Sequence, residues 1–156
     1  MTRRQAREHI FMMLFQMEFH KNEERIRQAD IYLETFENMS DEDLKSLKED
    51  IESNDSNLDF ESLSKENIEE LKERFFKIVE KLPEIDETIS EISTGWTIDR
   101  MIRSDLTAMR IAVYEIKFDE EIPGPVSINE AVELAKKFGE ETSGSFVNGV
   151  LAKLLT

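Results

Sequence analysis

The stretch DRMIRSDLTAMRIAVYEIKF, residues 99–118, decides the fold class. Its apolar residues Ile102, Leu106, Met109, Val113 and Ile116 alternate steps of four and three. That spacing draws one buried stripe along a helix and fits no strand. Ala108 and Ala112 permit close approach of a neighbouring helix. One long helix from about Asp99 to Phe118 is predicted. Beyond it, Glu121-Ile122-Pro123-Gly124-Pro125 is the one strong breaker and fixes a loop. Ser127-Ile128-Asn129-Glu130 reads as a capping box. Its helix buries Ala131, Leu134, Ala135 and Phe138 and stops at Gly139. A last helix begins near residues 143–145 and buries Phe146, Val147, Val150, Leu151 and Leu154. Asn129 and Asn148 read as hydrogen-bonders at helix ends or between helices.

Upstream, Pro83 suits the first turn of a short helix holding Ile85, Ile89 and Ile92, which Gly95 ends. Trp96, following a helix stop, reads as core. Ser64-Lys65-Glu66-Asn67 opens a helix with Ile68, Leu71, Phe75, Ile78, Val79 and Leu82 inward. Near the start, Thr2-Arg3-Arg4-Gln5 reads as another capping box. The helix it opens buries Ala6, Ile10, Met13, Leu14 and Met17, with Phe11 and Phe15 beside that stripe. A second helix over about Glu23–Asn38 buries Ile26, Ala29, Leu33 and Phe36. Residues 39–63 are acidic and sparse in apolar positions. Ser40 with Asp43 predicts a short surface helix, and Asn54-Asp55-Ser56-Asn57 a turn. The whole is an all-α, compact bundle of about seven helices in a single domain, residues 1–156.

The 156 residues include 5 Gly, 3 Pro and no Cys. So few breakers agree with long helices. Without cysteine there is no disulfide, no thiolate zinc site and no cysteine nucleophile. No stretch approaches the roughly 18 apolar residues of a membrane span. The basic start runs into an amphipathic segment with Glu8, His9, Gln16 and Glu18, unlike a signal peptide. A cytoplasmic protein is expected.

The net charge of −15 opposes nucleic-acid binding, because phosphate affinity comes from Lys and Arg. The charge is uneven, however: +1 over residues 1–30, −13 over 31–100 and −3 over 101–156. A local anion-binding patch is compatible with that distribution. Arg3, Arg4 and Arg7 project from the first helical turns, where positive charge opposes the helix dipole. They are either solvated surface charges or phosphate ligands.

Catalytic chemistry has little to draw on. His9 and His20, eleven residues apart on or near the first helix, cannot ligate one metal. Asp55, Asn57 and Asp59 alternate as in a calcium loop, but Phe60 stands where that loop needs Gly. Glu115 is the acid most closely flanked by apolar residues, and a solvated or salt-bridged role fits it. No nucleophile elbow, P-loop or dinucleotide fingerprint occurs. No enzyme, metal or cofactor is expected. Readers of single-stranded RNA need stacking groups and small hydrogen-bonders. The segment from Phe138 to Phe146 has both, with Thr142, Ser143 and Ser145 at a new helix N-terminus and Lys136 and Lys137 just before. The alternative is that both Phe are core and the hydroxyls are caps.

Several blocks resemble the NusB family of bacterial transcription antitermination factors. They are Arg3-Arg4-Gln5-Ala6-Arg7-Glu8, Arg110-Ile111-Ala112-Val113-Tyr114-Glu115, Ile122-Pro123, Ile128-Asn129-Glu130-Ala131-Val132-Glu133-Leu134-Ala135-Lys136 and Phe146-Val147-Asn148-Gly149-Val150-Leu151. Residues 37–66 have no clear counterpart and read as an acidic elaboration. The resemblance implies an all-helical NusB-like fold and a factor that binds the boxA sequence of nascent RNA. It also implies a heterodimer with the ribosomal protein NusE, which joins the transcription elongation complex to suppress termination in ribosomal RNA operons. Carried over residue by residue, it implies RNA contacts from Arg3, Arg4, Arg7, Phe138, Thr142, Ser143 and Phe146. Thr142 stands where some members carry Asp, and Phe15 where some carry Tyr. A homodimer is left open. Two alternatives stay beside this reading: a protein-only helical adaptor, and the RNA-binding domain of an RNA cytosine methyltransferase.

Overall fold

Gln5 N donates to Thr2 Oγ1 at 3.1 Å, and Thr2 N donates to Gln5 Oε1 at 2.8 Å. The predicted capping box is formed, satisfying two backbone donors that a helix start leaves open. It starts α1 (Arg3–Met17) in the computed structural model, which describes residues 1–37, 39–52 and 62–155. Seven further α-helices follow among these residues. They are α2 (Asn22–Phe36), α3 (Asp41–Glu52), α4 (Lys65–Glu80), α5 (Leu82–Ile92), α6 (Arg103–Phe118), α7 (Gly124–Phe138) and α8 (Ser143–Leu151). Short 3-10 turns cover Ile98–Arg100 and Ala152–Leu155. The only β pairing among the described residues is one bridge, Glu37 to Leu63. The all-α class follows as predicted. No helix among the described residues is long and apolar enough to cross a membrane. The turn at residues 54–57 and the calcium-like pattern at Asp55, Asn57 and Asp59 lie outside the described residues.

The chain divides into two compact units, Met1–Phe76 and Lys77–Thr156. In the first, α1 packs against α2 and is buried nearly all round from Ala6 to Leu14. His9 is buried among aromatics, its Nδ1 2.8 Å from Tyr32 Oη and its ring edge-on to Tyr32 and Phe36. Burial holds its pKa down at about 4, because an imidazolium there would lose its hydration. Burial and the nearby Glu8 push the Tyr32 hydroxyl up. Ser40 and Ser64 start α3 and α4 as predicted, each accepting from the backbone N–H three residues on at 3.1 Å. Leu63 N donates to Phe36 O at 2.8 Å, which ties the two ends of the acidic segment together. Ile26, expected inward, is exposed.

In the second unit α6 is the central helix, buried without a break from Ser104 to Val113. α5, α7 and α8 pack on it. Polar ties fix their register. Arg110 donates to both oxygens of Asp86 on α5 at 2.9 Å, a bidentate pair. Lys117 Nζ donates to Thr88 Oγ1 at 2.6 Å. Ser127 Oγ on α7 donates to Glu115 Oε1 at 3.0 Å. Glu115 is therefore a buried helix-to-helix tie, which corrects its reading as a solvated acid.

Four further expectations are corrected here. The predicted helix over residues 99–118 is broken. A 3-10 turn and two extended residues, Met101 and Ile102, precede α6. The change of period turns Met101 inward and leaves Ile102 exposed. α7 starts at Gly124, inside the predicted loop, with Pro125 in the first turn where its missing N–H matters least. Ser127 is then one turn into the helix and cannot cap it. Asn129 and Asn148 are exposed, and neither side chain makes a hydrogen bond among the described residues. Trp96, expected in the core, is likewise exposed.

Candidate nucleic-acid interface

The basic candidates lie on the first unit. Arg3 and Arg4 are exposed on the first turn of α1, which contains no acidic residue. Arg7 does not project with them: it is only 5 % exposed. Its helical neighbours at i+4 and i+7 are Phe11 and Leu14, both buried, so its face is the packed one. The predicted surface cluster of three arginines is a surface pair and one buried cation.

The other candidates share one helix–loop–helix on the second unit. α7 ends at Phe138, which is partly exposed, with Lys137 Nζ 5.9 Å from its ring centroid. Gly139 N donates to Ala135 O at 2.8 Å. A Cβ on Gly139 would come within 2.5 Å of Ser143 Oγ and 2.6 Å of Ala135 O, so only glycine fits the turn. Glu140 and Ser143 then close the loop reciprocally. Glu140 N donates to Ser143 Oγ at 2.9 Å, and Ser143 N donates to Glu140 O at 3.1 Å. Ser143 is 0 % exposed. Its hydroxyl shapes the loop from inside, which corrects its place among surface hydrogen-bonders.

Behind Ser143 lies Asp105 of α6, 2 % exposed. Burial raises its pKa, against the opposing effect of a hydrogen bond from Ser143, and Glu140 raises it further. Oδ1 of Asp105 meets no partner among the described residues. Nothing in the sequence reading singled out Asp105. A signal existed, since Met109 and Ala112, at i+4 and i+7, are both apolar.

Thr142 differs from Ser143. It is exposed, occupies the N-cap position of α8, and its side chain makes no cap bond. Its carbonyl accepts from Phe146 N at 3.1 Å. Phe146 is partly exposed and meets Trp96 edge to face, ring centroids 5.5 Å apart. The loop thus combines a rigid backbone, an uncommitted hydroxyl and aromatic surface. Such a set can hydrogen-bond base edges and stack bases. Among the described residues no three His, Asp or Glu side chains gather to hold a metal ion.

The NusB family profile matches residues 4–156. Transcription antitermination protein NusB of Lachnoclostridium phytofermentans is 44% identical over 155 residues, 99% of each chain. That of Agathobacter rectalis is 42% identical over 153 residues, 98% of each chain. Among solved structures, T. maritima NusB matches with a TM-score of 0.74 at 30% identity, covering 99% of this chain and 90% of that one.

Proposed function

This chain belongs to the NusB family of transcription antitermination factors, and from that premise we propose that it works by binding boxA-type single-stranded RNA together with a NusE-type ribosomal protein. The complex would act within the transcription elongation complex to suppress termination in ribosomal RNA operons. The observation that carries this reading is the loop from Gly139 to Phe146. Its backbone is locked by Ser143, while Thr142 keeps an exposed hydroxyl that caps nothing. Thr142 would meet a base edge, and Phe138 and Phe146 would offer ring faces. Arg3 and Arg4 would meet phosphates. Arg7 and Ser143, both buried, would act by holding α1 and the loop in shape.

The charge explains the need for a partner. A chain of net charge −15 repels RNA beyond its local cations, so a basic partner adds phosphate contacts. On the first unit, five acids, Asp30, Glu66, Glu69, Glu70 and Glu73, outnumber Lys65 and Lys72 in lining a groove that also contains exposed Phe76. An acidic groove with an aromatic anchor suits a basic protein surface.

The test is binding of a short boxA-like RNA and a scrambled control, with and without NusE, across a salt series. Selective binding that strengthens with NusE and weakens in an Arg3→Ala, Arg4→Ala double variant supports the reading. Normal NusE binding with no selective RNA binding under any condition leaves a protein-only adaptor. Charge reversal at Glu69 and Glu73 should weaken the NusE complex, and an unchanged complex removes the groove from the interface.

A further inference from the structure

Trp96 is the chain's single tryptophan, and folding leaves it 52 % exposed. An indole is among the largest apolar surfaces a side chain can bury, so its exposure is not what core formation alone would select. Yet the turn that carries it is built. Lys153 Nζ donates to Ile92 O at 2.9 Å and to Thr94 Oγ1 at 3.2 Å. Ser93 Oγ donates to Ile89 O, and Trp96 N donates to Ser93 O at 3.1 Å. Gly95 adopts φ +84°, a left-handed conformation that glycine enters without strain. The indole then meets Phe146 at an interplanar angle of 69°. Phe146 in turn stands one helical turn after Thr142, bonded to its carbonyl. The sole tryptophan is thus fixed beside the Gly139–Phe146 loop and left open to solvent.

We propose that Trp96 is a stacking platform for a base of single-stranded RNA, extending the aromatic surface of Phe146 away from the loop. The proposal rests on the RNA-binding reading above. Aromatic rings serve this role because every base has a π-face, so stacking adds affinity without demanding a sequence. Phe146 supports the indole from one side and holds it in place before RNA arrives, which limits the ordering needed on binding.

Because the chain has one tryptophan, fluorescence excited selectively at the indole, beyond the absorption of its two tyrosines, reports on this site alone. The full chain is titrated with the boxA-like RNA at low salt, where phosphate attraction is strongest. Quenching is expected, with a loss of affinity of about tenfold in Trp96→Ala and little loss in Trp96→Phe, which keeps a ring. Should Trp96→Ala fold poorly, the wild-type fluorescence decides the matter. If RNA binds, weakens with the Arg3/Arg4 double variant and leaves the fluorescence and Trp96→Ala affinity unchanged, this proposal is overturned and the RNA-binding reading stands. Fluorescence that responds to NusE but not to RNA also overturns it, and marks a protein contact. RNA that fails to bind the wild type under every condition overturns both.

Discussion

The opening turns of α1 and the loop before α8 present the same contrast on two separate units. Each holds polar residues of one kind close together in sequence, Arg3, Arg4 and Arg7 in one and Thr142 and Ser143 in the other. In each, folding exposes some and buries another: Arg7 at 5 % and Ser143 at 0 %. Exposed members face solvent, and buried members hold the element that presents them. The difference lies in what does the holding. On α1 the helix itself is the scaffold, so Arg3 and Arg4 need only a capped first turn. In the loop no periodic backbone exists, and Gly139, Ser143 and Glu140 supply the rigidity through specific contacts.

The widest separation between exposed and buried members should appear on α1. Arg7→Ala should lower stability by about 3 kcal/mol, because truncating a side chain only 5 % exposed removes packed surface and leaves a cavity. Arg3→Ala should change it by less than about 0.5 kcal/mol, as exposed substitutions usually do. Denaturant unfolding of both variants checks this, and equal effects would erase the distinction.

A pH series extends the comparison to the buried ionisable groups of each unit. His9 has a folded pKa of about 4 against an ordinary 6.5. The unfolded chain binds the proton more readily, so this contribution is complete above pH 6.5 and is lost as pH falls toward 4. The loss amounts to at most about 3 kcal/mol, and His9→Gln should flatten it. Asp105 is shifted the opposite way, its pKa raised by burial. Its folded form holds the proton more tightly, so stability from this group falls as pH rises through the raised value. Asp105→Asn should therefore be at least as stable as wild type at neutral pH. A destabilised Asn variant there would show that the ionised carboxylate is what the loop requires.

Smaller effects separate shape from contact. Gly139→Ala should lower stability by about 2 kcal/mol through overpacking against Ser143 and Ala135, and should weaken RNA binding by distorting the loop. Thr142→Ala should leave the melting temperature nearly unchanged while reducing RNA selectivity. A similarly small stability effect belongs to the Arg3→Ala, Arg4→Ala double variant. It should leave folding intact and reduce the salt dependence of RNA binding by about one phosphate contact per arginine.

Much of this was legible in the sequence. The helix starts at Thr2, Ser40 and Ser64 follow from side chains that reach a backbone N–H three residues on, a purely local fact. The proline-started α5 is local in the same way. Burial of charged residues left a fainter trace. Arg7, Asp105 and Glu115 each have apolar helical neighbours four and seven positions away, yet a stripe counted from apolar residues alone passes over them. Arg110 and Glu115, within a block that resembles the family signature, turn out to tie α6 to α5 and α7. That block marks the fold rather than a ligand contact.

What the sequence by itself determined is the set of elements: helices, their approximate limits, and the apolar stripes that must be covered. These depend on interactions within a few residues, and period and capping encode them directly. Only the tertiary structure decided which polar side chains went inside with those stripes and which aromatic stayed out. Arg7, Asp105, Glu115 and Ser143 were buried because packing partners distant in sequence closed over them or their hydrogen bonds reached across helices. Trp96 remained exposed because Gly95, Lys153 and Phe146 fixed its turn at the surface. Such outcomes depend on contacts between elements, which no local pattern specifies.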